Sequence, residues 1–114
     1  MHSDTCVIIP VYNEAEALEE VLTVVRRHFK HVICVDDGSS DNSVEVLSNF
    51  DVEVLQHSQN QGQGAALRTG LQHALQNDRF KYFLTFDADG QHAVNDATRM
   101  VHYIHHHGVD IVLG

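Results

Sequence analysis

His31-Val32-Ile33-Cys34-Val35-Asp36-Asp37-Gly38-Ser39-Ser40-Asp41 decides the fold class of this chain. Its first half is apolar without polar alternation, the pattern of a strand buried on both faces. Its second half is an acidic pair and a turn. Ser40 and Asp41 then offer an Asx turn and a helix cap ahead of Val44 and Leu47. A buried strand that passes through a polar turn into a helix is one unit of a parallel α/β sheet.

The same unit recurs on both sides of it. Apolar runs at residues 5–9, 52–55, 82–86 and 110–113 join the run at 31–35, and helical patterns lie between them. The first helix takes Asn13 as its cap and has Glu14 and Glu16 in its first turn, where carboxylates complement the helix dipole. Its apolar stripe is Leu18, Val21, Leu22, Val25 and Phe29. The third helix starts near residues 62–64 and carries Leu67, Leu71, Ala74 and Leu75; a fourth carries Ala97, Met100, Val101 and Ile104. The expected architecture is a single Rossmann-like α/β domain over residues 1–114, a mostly parallel sheet with helices on both faces and right-handed crossovers. In such sheets ligands bind beyond the carboxyl ends of the strands, where the strand order reverses. The polar motifs at 10–14, 36–39, 58–64 and 87–92 all fall at that edge.

The 114 residues suffice for one core, and an apolar fraction of 43% fits a globular chain. A formal charge of −9 argues against a nucleic-acid binder and against unaided attachment to anionic lipid. It leaves phosphorylated ligands open, because a bound divalent metal reverses the local sign. Met1-His2-Ser3-Asp4 lacks a basic leader and no run reaches membrane-spanning length, so a cytoplasmic location is expected. Cys6 and Cys34 then read as small buried thiols, with a disulfide between neighbouring strands as the alternative. His105-His106-His107 reads as the polar face and end of a helix rather than a metal tract, because consecutive helical residues fan out.

Four motifs carry chemistry. In Phe86-Asp87-Ala88-Asp89-Gly90-Gln91-His92, extended backbone puts Asp87 and Asp89 on one side. Two such carboxylates repel unless a cation lies between them, and their oxygens suit Mg²⁺ or Mn²⁺, which also hold phosphate. The alternative is a solvated turn. Pro10 is expected to end the first strand because it has no amide for the ladder. Tyr12 offers a ring face to a base and a hydroxyl to a phosphate or sugar, or else packs at the helix entry. Asp37 is placed to accept the imide N–H of uracil or to bond a ribose, with an Asx turn as the alternative. In Asn60-Gln61-Gly62-Gln63-Gly64-Ala65-Ala66, glycines permit close approach and amides at a helix start suit phosphate. Leu67 stands where a dinucleotide fingerprint has its third glycine. Arg68, one turn into that helix, is either a diphosphate ligand or part of a solvated face.

Together these residues resemble the family 2 glycosyltransferases, which have the GT-A nucleotide-sugar-binding fold. The matching stretches are Val7-Ile8-Ile9-Pro10-Val11-Tyr12-Asn13-Glu14, Val35-Asp36-Asp37-Gly38-Ser39, Asn60-Gln61-Gly62-Gln63-Gly64 and Asp87-Ala88-Asp89-Gly90-Gln91-His92. They look most like the dolichyl- and polyprenyl-phosphate sugar transferase branch. The resemblance implies nucleoside contacts from Pro10, Tyr12, Glu14 and Asp37, beside which Gly64 and Arg68 stay the candidates for the donor diphosphate read from the helix start. It implies that Asp87, Asp89 and Gln91 hold Mg²⁺ or Mn²⁺ and the donor diphosphate. The implied reaction is inverting transfer from a UDP- or GDP-sugar to a lipid phosphate or saccharide acceptor, with the metal as Lewis acid.

The family continues past the position of Gly114 into an acceptor half. The resemblance therefore implies a donor-binding half whose catalytic base lies elsewhere, and a full-length protein peripheral at the cytoplasmic membrane face. It also leaves the strand at 82–86 as an exposed edge open to self-association. Two other readings stand beside it. One is a non-catalytic nucleotide-binding module. The other is a sugar-phosphate nucleotidyltransferase, which normally has a Gly-rich basic loop where this chain has Pro10-Val11-Tyr12-Asn13.

Overall fold

The computed structural model of the chain describes residues 2–86. Its elements are β1 (His2–Val11), α1 (Ala15–His28), β2 (Phe29–Asp36), α2 (Ser43–Leu47), β3 (Glu53–Gln56), α3 (Gln63–Ala74) and β4 (Tyr82–Thr85). All strand pairs are parallel, in the order β3-β2-β1-β4. The chain steps outward from β1 to β3, then returns to the far side of β1 for β4. Strand order therefore reverses between β1 and β4, as the fold class requires for a ligand crevice. The helix expected at 97–104 and the strand expected at 110–113 lie outside the described residues.

The inner strands β1 and β2, with β4, are buried on both faces, which is why they show little polar alternation, while β3 at the edge is only half-buried. Val7, Ile9 and Val11 of β1 share one core with Leu18, Val21, Leu22 and Val25 of α1 and Leu47 of α2. Cys6 and Ile8 share the other with Ile33, Val35, Phe83 and the α3 residues Ala66 and Ala74. Successive residues of one strand thus serve opposite layers. Cys34 belongs to the first core and Cys6 to the second, so the sheet separates them and both are free thiols. Burial pushes both up to about 12, with Glu53 adding to the effect at Cys6, which leaves them protonated and inert.

Three local expectations are corrected. Phe29 does not extend the α1 stripe; it is the first residue of β2, with extended dihedrals (φ −130°, ψ 132°) and a buried ring. Pro10 does not end β1, which runs on to Val11. The carbonyl of Ile8 accepts from Phe86 N–H on the β4 side, and that of Val11 accepts from Asp37 N–H on the β2 side. Alternation turns Pro10 toward β4, beyond the last β1–β4 pair, Ile8 with Thr85, so the missing amide removes no ladder bond. Finally, α3 packs through Ala66, Gly70 and Ala74, with Leu67 and Leu71 half-buried beside them and Leu75 exposed past the helix end. A Cβ on Gly70 would lie 2.6 Å from Cγ2 of Ile8 and 3.1 Å from Cγ2 of Val35. The helix sits so close to the sheet that only small side chains fit under it.

Candidate functional site: the carboxyl edge of the sheet

Three loops and the exit of β4 meet at the carboxyl edge. The turn after β1 is set by Asn13, whose φ of +52° is left-handed, a conformation Asn tolerates better than most residues. Its Oδ1 accepts from the Ser40 amide at 2.8 Å and the Asp41 amide at 3.3 Å. Its own amide donates to Ser39 Oγ at 2.9 Å. Asn13 therefore caps the neighbouring loop and not α1, whose cap position is Glu14 and whose first amides receive no side-chain cap from it. That loop returns the service: Ser43 Oγ accepts from Glu14 N–H at 3.1 Å and Asp41 Oδ2 from Ala15 N–H at 3.3 Å. Asp41 forms the expected Asx turn, its Oδ1 accepting from the Ser43 amide at 2.9 Å, with Asn42 at the cap position of α2. The Ser43 bonds hold the Asp41 carboxyl below its ordinary value.

The acidic pair has two different employments. Asp37 is 2% exposed. Its Oδ1 accepts from His57 Nδ1 at 2.7 Å and from Gln61 N–H at 2.8 Å, and its Oδ2 from Gly62 N–H at 2.8 Å. Burial pushes its carboxyl up, but the bonds from His57, Gln61 and Gly62 outweigh that and hold it below the usual range. Asp36, also 2% exposed, closes β2 opposite Val11. Its Oδ2 accepts from Ser39 N–H at 3.1 Å, while Oδ1 is buried with no partner among the described residues. Sequence reasoning singled out Asp37 and passed over Asp36. The available signal was that consecutive residues leaving a strand face opposite sides, so only one of Asp36, the last residue of β2, and Asp37, the first past it, can turn toward the β3–α3 loop.

His57, also missed, links two elements: its Nε2 lies 2.8 Å from Thr69 Oγ1 on α3. The loops after β2 and β3 touch through backbone. Gly38 has φ +75°, and a Cβ there would lie 2.9 Å from Asn60 N. Gly62, φ +99°, is the cap residue of α3, which has no side-chain cap. Gly64 is exposed and a Cβ on it would meet nothing within 4 Å; Arg68 is exposed one turn on. Tyr12 is 46% exposed, and Pro10 and Glu14 are half-buried.

Pro10 near the end of β1, and Tyr12, Glu14 and Asp37 on the loops that follow, thus sit at one edge, with Gly64 and Arg68 in the opening turns of the helix that starts there. Asp87, Asp89 and Gln91 lie outside the described residues, which end at buried Phe86 on this edge. Among the described residues no three His, Cys, Asp or Glu side chains are grouped to hold a metal ion. A cavity of about 940 Å³ opens at the opposite, amino edge, lined by Cys6, Arg26, His31, Glu53, His73 and Phe80 among others. His73 and Arg26 are already engaged there with Glu53 and Asp51.

This chain belongs to glycosyl transferase family 2, which matches it over residues 6–114. It is 37% identical over 109 residues to an uncharacterized protein of Methanocaldococcus jannaschii, covering 95% of this chain and 44% of that protein. It is 32% identical over 125 residues to the UDP-N-acetylglucosamine–dolichyl-phosphate N-acetylglucosaminyltransferase of Methanococcus voltae, covering 94% and 49%. It is 36% identical over 118 residues to an undecaprenyl-phosphate 4-deoxy-4-formamido-L-arabinose transferase of Pectobacterium carotovorum, covering 93% and 35%. The chain therefore spans less than half the length of these relatives. Among solved structures it resembles glucosyl-3-phosphoglycerate synthase from Mycobacterium tuberculosis, crystallised with Mn²⁺, UDP and glucosyl-3-phosphoglycerate. That match has a TM-score of 0.61 at 19% identity over 76% of this chain and 34% of that one. At that identity the likeness shows the fold alone, which agrees with the Rossmann-like GT-A architecture expected from the motifs.

Proposed function

We propose that this chain is the donor-binding part of a glycosyltransferase that moves a sugar from a nucleoside-diphosphate sugar to a polyprenyl phosphate. The observation that carries the proposal is the unpartnered, buried Oδ1 of Asp36 at the carboxyl edge, one position from exposed Tyr12 across the β1–β2 pair. An acceptor left unsatisfied in a buried setting costs about 1–3 kcal/mol, and an N–H or O–H of a nucleoside would satisfy it. The nucleoside contact expected of Asp37 is read as moving to its neighbour: Asp36 has the unsatisfied acceptor, while Asp37, whose oxygens already receive His57, Gln61 and Gly62, holds the adjoining loop. Pro10, Tyr12 and Glu14 form the other wall, with the Tyr12 ring as a stacking surface. Gly64 leaves room for a phosphate at the uncapped start of α3, and Arg68 supplies a cation.

Asp87, Asp89 and Gln91, directly after Phe86 in sequence, are the residues proposed to hold Mg²⁺ or Mn²⁺. The metal, when bound, offsets charge on the leaving diphosphate. The acceptor oxygen would bond the anomeric carbon from the face opposite the departing diphosphate, so that the configuration inverts. A lipid phosphate is already ionised and needs little help from a base. Family membership favours this over nucleotidyl transfer. Among the described residues no helix is long and apolar enough to cross a membrane, and a lipid acceptor suggests a peripheral position at the cytoplasmic face.

The test is calorimetric titration of UDP and GDP with Mn²⁺ and with excess chelator. Metal-dependent binding is expected, and Asp89→Ala should abolish the metal-dependent part without unfolding the chain. Equal affinity with and without metal would contradict the proposed diphosphate site.

A further inference from the structure

We propose that His57 is a positioning residue. It fixes the Asp37 carboxylate, and through it the β3–α3 loop, in the place that receives the donor diphosphate. The inference rests on the reading of the carboxyl edge as the donor site.

The geometry is a chain of three side chains across three elements. Thr69 Oγ1 on α3 lies 2.8 Å from His57 Nε2, and His57 Nδ1 lies 2.7 Å from Asp37 Oδ1 at the end of β2. His57 and Asp37 side chains are 9% and 3% exposed, so water does not compete for these bonds. With Nδ1–H donating to the carboxylate, Nε2 is the acceptor for the Thr69 hydroxyl, and every polar atom of the ring is used. The backbone adds a further tie, since His57 N–H donates to the Asp36 carbonyl at 2.8 Å.

The far end of this chain does not stop at Asp37. Its two oxygens receive the Gln61 and Gly62 amides, each at 2.8 Å, immediately before α3. Those amides set the entry angle of a helix whose start has no side-chain cap. A carboxylate free to turn about its side-chain bonds would let that entry drift. His57 removes the freedom by a third bond from a different direction. Gly38, packed on the backbone of Asn60, passes any shift of the loop back to the segment whose Ser39 amide holds Asp36. A misplacement of about 1 Å in such a site is enough to lose much of a ligand's binding or turnover.

The test compares His57→Ala, His57→Asn and Thr69→Val with the parent chain. The amide of Asn can stand in for Nδ1–H but does not reach Thr69. Two quantities are read: hydrogen exchange at the Gln61 and Gly62 amides, and the affinity for UDP or GDP with Mn²⁺. His57→Ala should speed exchange at both amides and weaken the diphosphate at least about tenfold, within the loss that a small misplacement of positioning groups produces. His57→Asn should recover most of both, and Thr69→Val should fall between. Binding by His57→Ala equal to the parent overturns the inference. So does a failure of His57→Asn to recover binding when it melts with the parent. If His57→Ala does not fold, the ordering of the other two variants decides in the same way. If the parent chain binds no nucleoside diphosphate, the donor-site reading fails and the positioning role fails with it.

Discussion

Asp37 Oδ2 accepts the amide of Gly62 at 2.8 Å, joining the end of β2 to the start of α3 across 25 residues of sequence. The carboxylate is buried and bonds two backbone amides and an imidazole. Its removal leaves donors without partners in a site closed to water. Asp37→Ala should therefore destabilise the chain by about 3 kcal/mol, measured by urea unfolding, with the slope unchanged. A loss below about 0.5 kcal/mol, the range of ordinary surface substitutions, would show that the loop does not depend on it.

The same carboxyl predicts a pH dependence. Its folded value lies below the ordinary one: burial raises it, but bonds from His57, Gln61 and Gly62 lower it further. The folded state then binds its proton less readily than the unfolded state. The associated stability is present in full above the unfolded value of about 3.9 and is lost as pH falls through the folded value. The stability difference between the parent and Asp37→Asn should shrink as pH falls below about 4. A difference that grows on acidification would reverse the assigned sign.

Gly70 and Gly64 should respond in opposite senses to alanine. A Cβ at Gly70 meets Ile8 Cγ2 at 2.6 Å, so α3 must shift or the core must strain. Overpacking of this kind costs about 1–3 kcal/mol, which exceeds the gain of up to about 1 kcal/mol from helix propensity. Gly64→Ala meets no atom within 4 Å and should raise stability by about 0.5 kcal/mol. It should also weaken diphosphate binding, because the methyl group occupies space proposed for phosphate. Thermal unfolding and calorimetry on the two variants separate packing from ligand space.

Asn13 should tolerate glycine better than alanine. Both lose the acceptor for Ser40 and Asp41, but only alanine also opposes a φ of +52°. The left-handed conformation costs a side-chain-bearing residue about 1–2 kcal/mol. Asn13→Ala should be the less stable of the two by about that amount, and equal melting of the variants would contradict the conformational part of the explanation.

The sheet was legible because its strands are apolar on both faces, and a run such as Val32-Ile33-Cys34-Val35 has few alternatives to a buried parallel strand. The helix stripe of α1 was legible for the same reason, through Leu18, Val21, Leu22 and Val25. What escaped was conformation and partnership. Nothing in the letters around Asn13 reveals a left-handed residue, so its side chain was assigned to its own helix. Asp36 and Asp37 read alike until strand register turns them to opposite sides. His57 lacked any motif, because its meaning lies in Asp37 and Thr69, which stand 20 and 12 residues away. The Leu75 position was misread because close packing at Gly70 selects small residues in place of the larger stripe.

Amide chemical-shift mapping with UDP or GDP and Mg²⁺ reports where on the molecule the ligand sits. Saturable shifts are expected at Val11, Tyr12, Asp36, Gly62 and Gly64, on the carboxyl edge between β1, β2 and α3. Shifts confined to the amino-edge cavity around His31, Glu53 and His73, or no shifts at millimolar ligand, would contradict a donor site at the point where the strand order reverses.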